Sequence, residues 1–253
     1  MRERPPGRAM MKAAQLAFRF RVFIFVFLYL IGFLAPWEFR SGHQGTLWLA
    51  ASTLLARSGW ISLAAATVAV TLVSLVCLVF GTILRVWGTA YLGSGVMRGA
   101  AMQGETFVAA GPYRYVRNPL YLGSWLLALG VSVLMPPSGA AFFLVAFSIF
   151  VLLLIRAEER FLSTKQGDVY QQYRRNVPRL WPRVTGGNAA TFAGRPRWVQ
   201  ALLAETYPVA ITLCFAVLAW RYNARILVQC VLICYGVSLV VRALTSKGVE
   251  GRL

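Results

Sequence analysis

GPYRYVRNPLYLG, residues 111–123, stands at the start of an apolar segment and concentrates polar and aromatic side chains there. It contains two arginines, one asparagine, two prolines and three tyrosines. Asn118 suits the N-cap of a helix, because its side chain can accept hydrogen bonds from unpaired backbone N–H groups. Pro119 suits the first helical position, where no backbone donor is needed. The stretch therefore predicts a helix beginning at residue 119, but a helix start alone does not account for Arg117 or the tyrosines.

The composition of the whole chain is typical of an integral membrane protein. Of its 253 residues, 58% are hydrophobic and 13% are charged, and the mean hydropathy is +0.62. A membrane-spanning helix needs about 20 mostly apolar residues, because its backbone polar groups must be satisfied within the segment. The sequence predicts an all-α, polytopic membrane fold with about six helices. They lie near residues 19–36, 60–84, 119–136, 139–156, 207–220 and 226–243.

Basic side chains cluster in the N-terminal stretch and in the polar segment between the predicted fourth and fifth helices. The positive-inside rule puts both stretches, and with them both chain termini, on the cytoplasmic side of a membrane. The formal charge of +18 needs no nucleic acid, because basic residues beside spanning helices also meet anionic lipid headgroups. We therefore expect the bilayer as a partner, no nucleic acid, and a bacterial inner membrane as the location.

Acidic residues are scarce, and eight are present in the whole chain. Glu158 and Glu159 stand together at the predicted cytoplasmic end of the fourth helix, where carboxylates oppose the helix dipole unless a cation or donor lies nearby. One interpretation is an interfacial ion-pair cluster with the flanking arginines. The other is a functional site, because the hairpin of the third and fourth helices brings residues 105–123 to the same membrane face.

Metal-ligating residue types are sparse. His43 is the single histidine, and the four cysteines all fall inside predicted apolar helices without a paired spacing. This pattern predicts no metal site, and it disfavours haem binding and histidine-based catalysis.

The order of the polar elements resembles that of one group of membrane enzymes. GPYRYVRNPLYLG is followed by an apolar hairpin, by EERFL at residues 158–162, and by GDVYQQYRRNVPRLWPR at residues 167–183. This order is similar to that of the integral membrane methyltransferases, namely the isoprenylcysteine carboxyl methyltransferase family and the related phospholipid N-methyltransferases. The resemblance covers residues 105–183 as a methyltransferase-like core.

Hydropathy predicts one membrane domain over residues 1–253, in which residues 19–84 and 207–243 are additional membrane helices outside the resemblance. The resemblance itself carries further implications. It implies S-adenosylmethionine as methyl donor, in a cytoplasmic pocket that a C-terminal strap closes. The implied methyl acceptor is lipophilic, either an isoprenylcysteine-type carboxylate or a phospholipid amine. A small apolar thiol is a third candidate acceptor. Since the donor is already activated, an in-line displacement needs positioning rather than a metal or a covalent nucleophile.

The resemblance also implies roles for individual residues. Arg117, Arg156 and Glu159 are the candidate catalytic residues, although Arg117 fits a structural clamp between loop and strap almost as well. Glu105 and Asn118 stand where the carboxyl methyltransferases have histidine, and the Asn-Pro-x-Tyr version is closer to the phospholipid enzymes. The candidate cofactor-binding residues are Glu105, Thr106, Phe107, Val108, Tyr113, Asn118, Pro119, Leu120, Tyr121 and Glu158.

Two other function classes are weaker interpretations. A membrane reductase with a nicotinamide cofactor is disfavoured because no G-x-G-x-x-G follows a predicted strand. A transporter or a non-catalytic scaffold is disfavoured because the centres of the predicted helices carry essentially no ionisable residues, which usually mark a transport pathway.

Overall fold

The computed structural model describes residues 19–34, 45–92, 108–183 and 196–221, together with positions 233 and 236. All regular structure within these ranges is helical, so the predicted all-α fold is confirmed. The helices are α1 (Arg21–Leu34), α2 (Leu47–Arg57), α3 (Leu63–Leu92), α4 (Pro119–Ser132), α5 (Pro137–Asn176), α6 (Trp198–Ala204) and α7 (Thr206–Arg221), with a 3₁₀ turn at Gly111–Arg114. The predicted helix at 226–243 and the candidates Glu105, Thr106 and Phe107 lie outside the described ranges, apart from two isolated positions.

Helix lengths divide the bundle into long and short members. Among the described residues, α3 and α5 are long and apolar enough to cross a membrane, and the pair α6 and α7, bent by 72°, forms a third candidate span. Helices α1 and α4 have 14 residues each. A helix of that length rises about 21 Å, which is less than the hydrocarbon thickness of about 30 Å.

Helix α2 is an addition to the predicted set. Its 11 residues are too few for a span, so hydropathy alone did not indicate it. Thr46 caps the helix by accepting from the backbone N–H of Leu49 at 3.4 Å. The N–H groups of Leu47 and Trp48 donate to the carbonyls of Met135 and Val133 at 2.7 and 2.8 Å. The short helix therefore closes over the turn between α4 and α5.

Helices α3 and α4 share the most extensive contact of the bundle, and glycines lie where they cross. A Cβ built on Gly81 would come within 2.8 Å of the backbone oxygen of Gly123, and one on Gly123 within 2.7 Å of the oxygen of Gly81. Small residues allow two membrane helices to approach this closely. Since the blocking atoms belong to the backbone, the two helices would have to separate to accept a side chain.

We expect Gly81→Val to lower the free energy of unfolding by about 1 to 3 kcal/mol, because overpacking forces the backbones of α3 and α4 apart. Unfolding of the purified protein in detergent measures the change. Gly45→Val is the matched control, since a Cβ at Gly45 meets nothing within 4 Å. Equal unfolding midpoints for the two variants would contradict a tight crossing.

Helix α5 continues well past the predicted end at residue 156, up to Asn176, over 40 residues. Its geometry breaks once, at Gly167, which has φ 55° and ψ −131°, a conformation that favours glycine. Beyond the break, Tyr170 and Tyr173 are buried in a cluster with Ala109 and Val177. The last part of α5 therefore folds back onto the segment that precedes the 3₁₀ turn.

Residues 177–183, here called the strap, follow α5 without regular structure. The N–H of Arg117 donates to the carbonyl of Pro178 at 2.9 Å, and the N–H of Arg183 donates to the carbonyl of Tyr115 at 3.0 Å. The strap thus runs beside the stretch that leads from the 3₁₀ turn into α4.

Candidate functional site

The two adjacent carboxylates of α5 have different surroundings. Successive residues of an α-helix point about 100° apart, so Glu158 and Glu159 face different neighbours. Glu159 is buried, with 4% of its surface exposed, whereas Glu158 is half-buried.

Glu159 is the centre of a buried polar cluster. Its Oε2 accepts from Nε and Nη2 of Arg179 at 3.1 and 2.7 Å. Its Oε1 accepts from Nδ2 of Asn118 at 3.2 Å and lies 3.6 Å from Nη1 of Arg117. The hydrogen-bonded carboxylate raises the pKa of the Arg179 guanidinium. One carboxylate therefore joins α5, the start of α4 and the strap.

Asn118 differs from its predicted role as a helix cap. It occupies the N-cap position of α4, but its side chain makes no capping hydrogen bond. Its Nδ2 donates instead to Glu159 and, at 3.2 Å, to the carbonyl of Arg179. The predicted cap position is therefore confirmed, but the predicted capping hydrogen bond is wrong, because the two bonds from Nδ2 orient the side chain toward Glu159 and the strap.

Arg117 is enclosed beside this cluster. Its side chain is 9% exposed, and its Nε and Nη1 atoms have no hydrogen-bond partner within the described structure. Its nearest anionic atom is the Glu159 Oε1. The guanidinium therefore balances the buried charge of Glu159 on α5, whereas the backbone N–H of Arg117 makes the contact with the strap.

Glu158 faces a second group of polar side chains. Its carboxylate is hydrogen-bonded to the Tyr121 side chain, and Arg21 at the start of α1 interacts with it electrostatically. Tyr113 also lies within the electrostatic reach of Glu158. Helix α1, the 3₁₀ turn and α4 therefore each contribute one side chain to the surroundings of this carboxylate on α5.

Tyr113 contributes a free donor to that group. The residue is 7% exposed, and its hydroxyl has no hydrogen-bond partner within the described ranges. Burial, followed by the nearby Glu158, raises the pKa of the Tyr113 phenol well above its usual value, so the hydroxyl keeps its proton. The backbone carbonyl of Tyr113 accepts from the Tyr173 hydroxyl at 2.7 Å, which holds the 3₁₀ turn against α5.

The other predicted site residues occupy varied positions. Pro119 is buried at the start of α4, and Val108 and Leu120 are half-buried. Arg156 is exposed on α5 and has no ion pair in the described part of the chain. Arg156 is therefore in neither group of polar contacts.

Three residues that make these contacts were not among the site residues predicted from the sequence. Arg21, Tyr173 and Arg179 all lie in basic or aromatic stretches that topology and interfacial preference already explain. Only their contacts with Glu158, Tyr113 and Glu159 in the folded chain distinguish them from neighbouring residues of the same type.

Known proteins match the same part of the chain. The sequence profile of the phospholipid methyltransferase family matches residues 69–168, a segment that begins in α3 and includes Tyr113, Tyr121, Glu158 and Glu159. Residues 69–168 are called the phospholipid methyltransferase domain below because of this match. The resemblance to integral membrane methyltransferases is thereby confirmed.

Relatives of this phospholipid methyltransferase domain carry several names. Methanethiol S-methyltransferase 2 of Bradyrhizobium diazoefficiens is 36% identical over 104 residues, which are 41% of this chain and 39% of that protein. Protein-S-isoprenylcysteine O-methyltransferase of Schizosaccharomyces pombe is 41% identical over 73 residues, 28% of this chain and 30% of that protein. Cobalt-zinc-cadmium resistance protein CzcN of Cupriavidus metallidurans is 26% identical over 155 residues, 58% of this chain and 68% of that protein.

The chain spans well under half the length of the two methyltransferases, since the match covers 39% and 30% of them. No solved structure matches the chain. The similarity therefore centres on the phospholipid methyltransferase domain, and residues 196–221 lie beyond the matched segment.

Proposed function

We propose that this integral membrane protein transfers a methyl group from S-adenosylmethionine to a lipophilic acceptor at the cytoplasmic face of a bacterial inner membrane. The observation that carries the proposal is the convergence of Tyr113, Tyr121 and Glu158 inside the phospholipid methyltransferase domain. Both chain termini are cytoplasmic in this proposal, as the distribution of basic residues favours.

The side chains around Glu158 fit a donor with ammonium, sulfonium and hydroxyl groups. The carboxylate can accept from an ammonium or from ribose hydroxyls, and charged hydrogen bonds of this kind are the strong ones. The Tyr113 hydroxyl is a buried donor without a partner, which a ligand oxygen would satisfy. Tyrosine rings also attract a cation such as a sulfonium. Glu158, Tyr113 and Tyr121 are therefore the proposed donor-binding residues.

The Glu159 cluster has a supporting role in this proposal. When bound, S-adenosylmethionine supplies an activated methyl group, so the chain itself contributes orientation and the exclusion of water. Glu159 and Arg117 hold the start of α4 against α5, and Arg179 ties the strap over the same region. We propose that the strap closes the donor pocket from the cytoplasm.

The acceptor is proposed to approach from the bilayer, because a lipophilic molecule and a charged donor meet only at the interface. Arg156 is exposed on α5 and is the proposed contact for an anionic or polar acceptor head. The names of the relatives include both S- and O-methyltransferases, so the acceptor atom is proposed only as a nucleophile on an apolar molecule.

Isotope transfer tests the proposal. Purified protein in lipid nanodiscs is incubated with methyl-labelled S-adenosylmethionine and, in parallel, with phosphatidylethanolamine, an S-farnesylcysteine derivative or a short alkanethiol. We expect labelled product with at least one acceptor, and inhibition by S-adenosylhomocysteine. No labelled product together with no binding of S-adenosylhomocysteine would overturn the proposal, and binding of a reduced nicotinamide instead would favour the reductase interpretation.

A further inference from the structure

A second buried charge lies outside the phospholipid methyltransferase domain, at Glu205. This residue stands at the bend between α6 and α7 and has 0% of its surface exposed. Its two carboxylate oxygens accept from Nε and Nη2 of Arg85 at 2.8 and 3.1 Å, and Oε1 also accepts from Thr89 Oγ1 at 2.8 Å. Arg85 and Thr89 lie on α3, so the pair joins the bent helices to the domain.

The remaining edge of the Arg85 guanidinium reaches α4. Its Nη1 donates to Ser124 Oγ at 2.5 Å, and the Ser124 hydroxyl donates to the carbonyl of Leu120 at 2.9 Å. Leu120 lies in the first turn of α4, next to Tyr121 and one residue beyond Pro119. A continuous path of hydrogen bonds therefore runs from Glu205 through Arg85 and Ser124 to the turn that carries Tyr121.

The residues of this path are closely packed. The Arg85 side chain lies against Gly123, where an added Cβ would come within 2.7 Å of its Cγ atom. Ile211 and Phe215 of α7 share a buried apolar cluster with Leu78 of α3 and Leu127 of α4. The bent helices are thus packed onto the same two helices that the ion pair connects.

A buried ion pair of this kind is costly to form and is weak evidence for stability on its own. Replacing such a pair with apolar residues is often neutral or stabilising, and the best-attested use of a buried polar group is to fix a register. The Arg85–Glu205 pair can fix how the α6–α7 bend is aligned with α3, because bidentate contacts hold the guanidinium in one orientation. Tyr113 also lies within electrostatic reach of both Glu205 and Arg85.

We propose that Glu205 is a positioning residue of the donor site, which orients Arg85 so that Arg85 and Ser124 fix the first turn of α4. The inference deepens the proposed function and rests on it, because the turn it positions carries Tyr121. The bent pair α6 and α7 then belongs to the working site, although it lies beyond the segment that the family matches.

The test compares Glu205→Gln and Ser124→Ala with Asp168→Asn as the control, since Asp168 is an exposed carboxylate outside these contacts. Ser124→Ala leaves the ion pair intact and cuts only the path to Leu120. We expect the Kd for S-adenosylhomocysteine in nanodiscs to rise about tenfold in Glu205→Gln and about threefold in Ser124→Ala, with no rise in the control. Ser124→Thr keeps a hydroxyl and is expected to restore the affinity.

Hydrogen exchange provides a readout that needs no ligand. We expect Glu205→Gln and Ser124→Ala to speed amide exchange in the first two turns of α4, with the apolar part of α5 unchanged. If the wild type binds no S-adenosylhomocysteine, the proposed function fails. In that case hydrogen exchange alone tests whether Glu205 positions the first turn of α4. Exchange and affinity in Ser124→Ala equal to those of the control would overturn the inference, whether or not Glu205→Gln folds.

Discussion

Glu159→Ala is expected to lower the free energy of unfolding by about 3 to 5 kcal/mol, because it leaves the Arg117 guanidinium buried without a counter-charge. The same change removes the carboxylate that accepts one hydrogen bond from Asn118 and two from Arg179. Thermal or denaturant unfolding of the purified protein in detergent measures the loss.

Two further variants test whether the stranded arginine causes this loss. Arg179 is 37% exposed, so Arg179→Ala should cost about 1 kcal/mol, as expected for an ion pair near the surface. The double variant with Glu159→Met and Arg117→Met should recover much of the stability, because no uncompensated charge stays buried. If the double variant is instead as unstable as the sum of its single changes, Arg117 and Glu159 do not act as a pair.

Glu158→Gln is expected to raise the Kd for S-adenosylhomocysteine by about 10- to 100-fold, the range for losing one or two hydrogen bonds to a charged group. The free energy of unfolding should change little, because Glu158 is half-buried and the amide can still pair with Tyr121. Calorimetric titration in nanodiscs measures the affinity.

Asp168→Asn is the matched control for this change, because it makes the same replacement of a carboxylate at an exposed position of α5. Tyr121→Phe should weaken binding less than Glu158→Gln, since it leaves the carboxylate in position. An unchanged affinity in Glu158→Gln would remove Glu158 from the donor site, even if the protein transfers methyl groups.

Much of the helical architecture follows from hydropathy along the chain. The apolar runs that became α1, α3, α4 and α7 were predicted near their observed positions, because backbone satisfaction in lipid leaves few alternatives. Helix α2 was not predicted, because its 11 residues are too few to span a bilayer. The predicted end of the fourth helix at residue 156 was too early, because helical geometry continues into a polar sequence after the apolar run ends.

The partners of Glu159 were only partly predictable, since Arg117 was one of three candidates with Arg114 and Arg174, and Arg179 was not among them. Arg156 and Arg160 flank the two carboxylates, but Glu159 pairs with Arg117 and Arg179, which lie 42 residues before it and 20 residues after it. Asn118 likewise has the position and the residue type of a helix cap, but its side-chain amide donates a hydrogen bond to the buried Glu159 carboxylate. Such choices depend on which segments meet in the folded chain, and local sequence patterns do not reveal those contacts.

The course of α5 from Pro137 to Glu158 is unbroken, and its length matches the thickness of a membrane. Glu158 lies 21 residue steps after Pro137, a rise of about 32 Å, which is close to the hydrocarbon depth of an ordinary bilayer. In the proposed topology, this length sets the depth of Glu158 relative to the lipid tails. In a thicker bilayer the carboxylate would be drawn toward hydrocarbon, and in a thinner one it would stand farther into water.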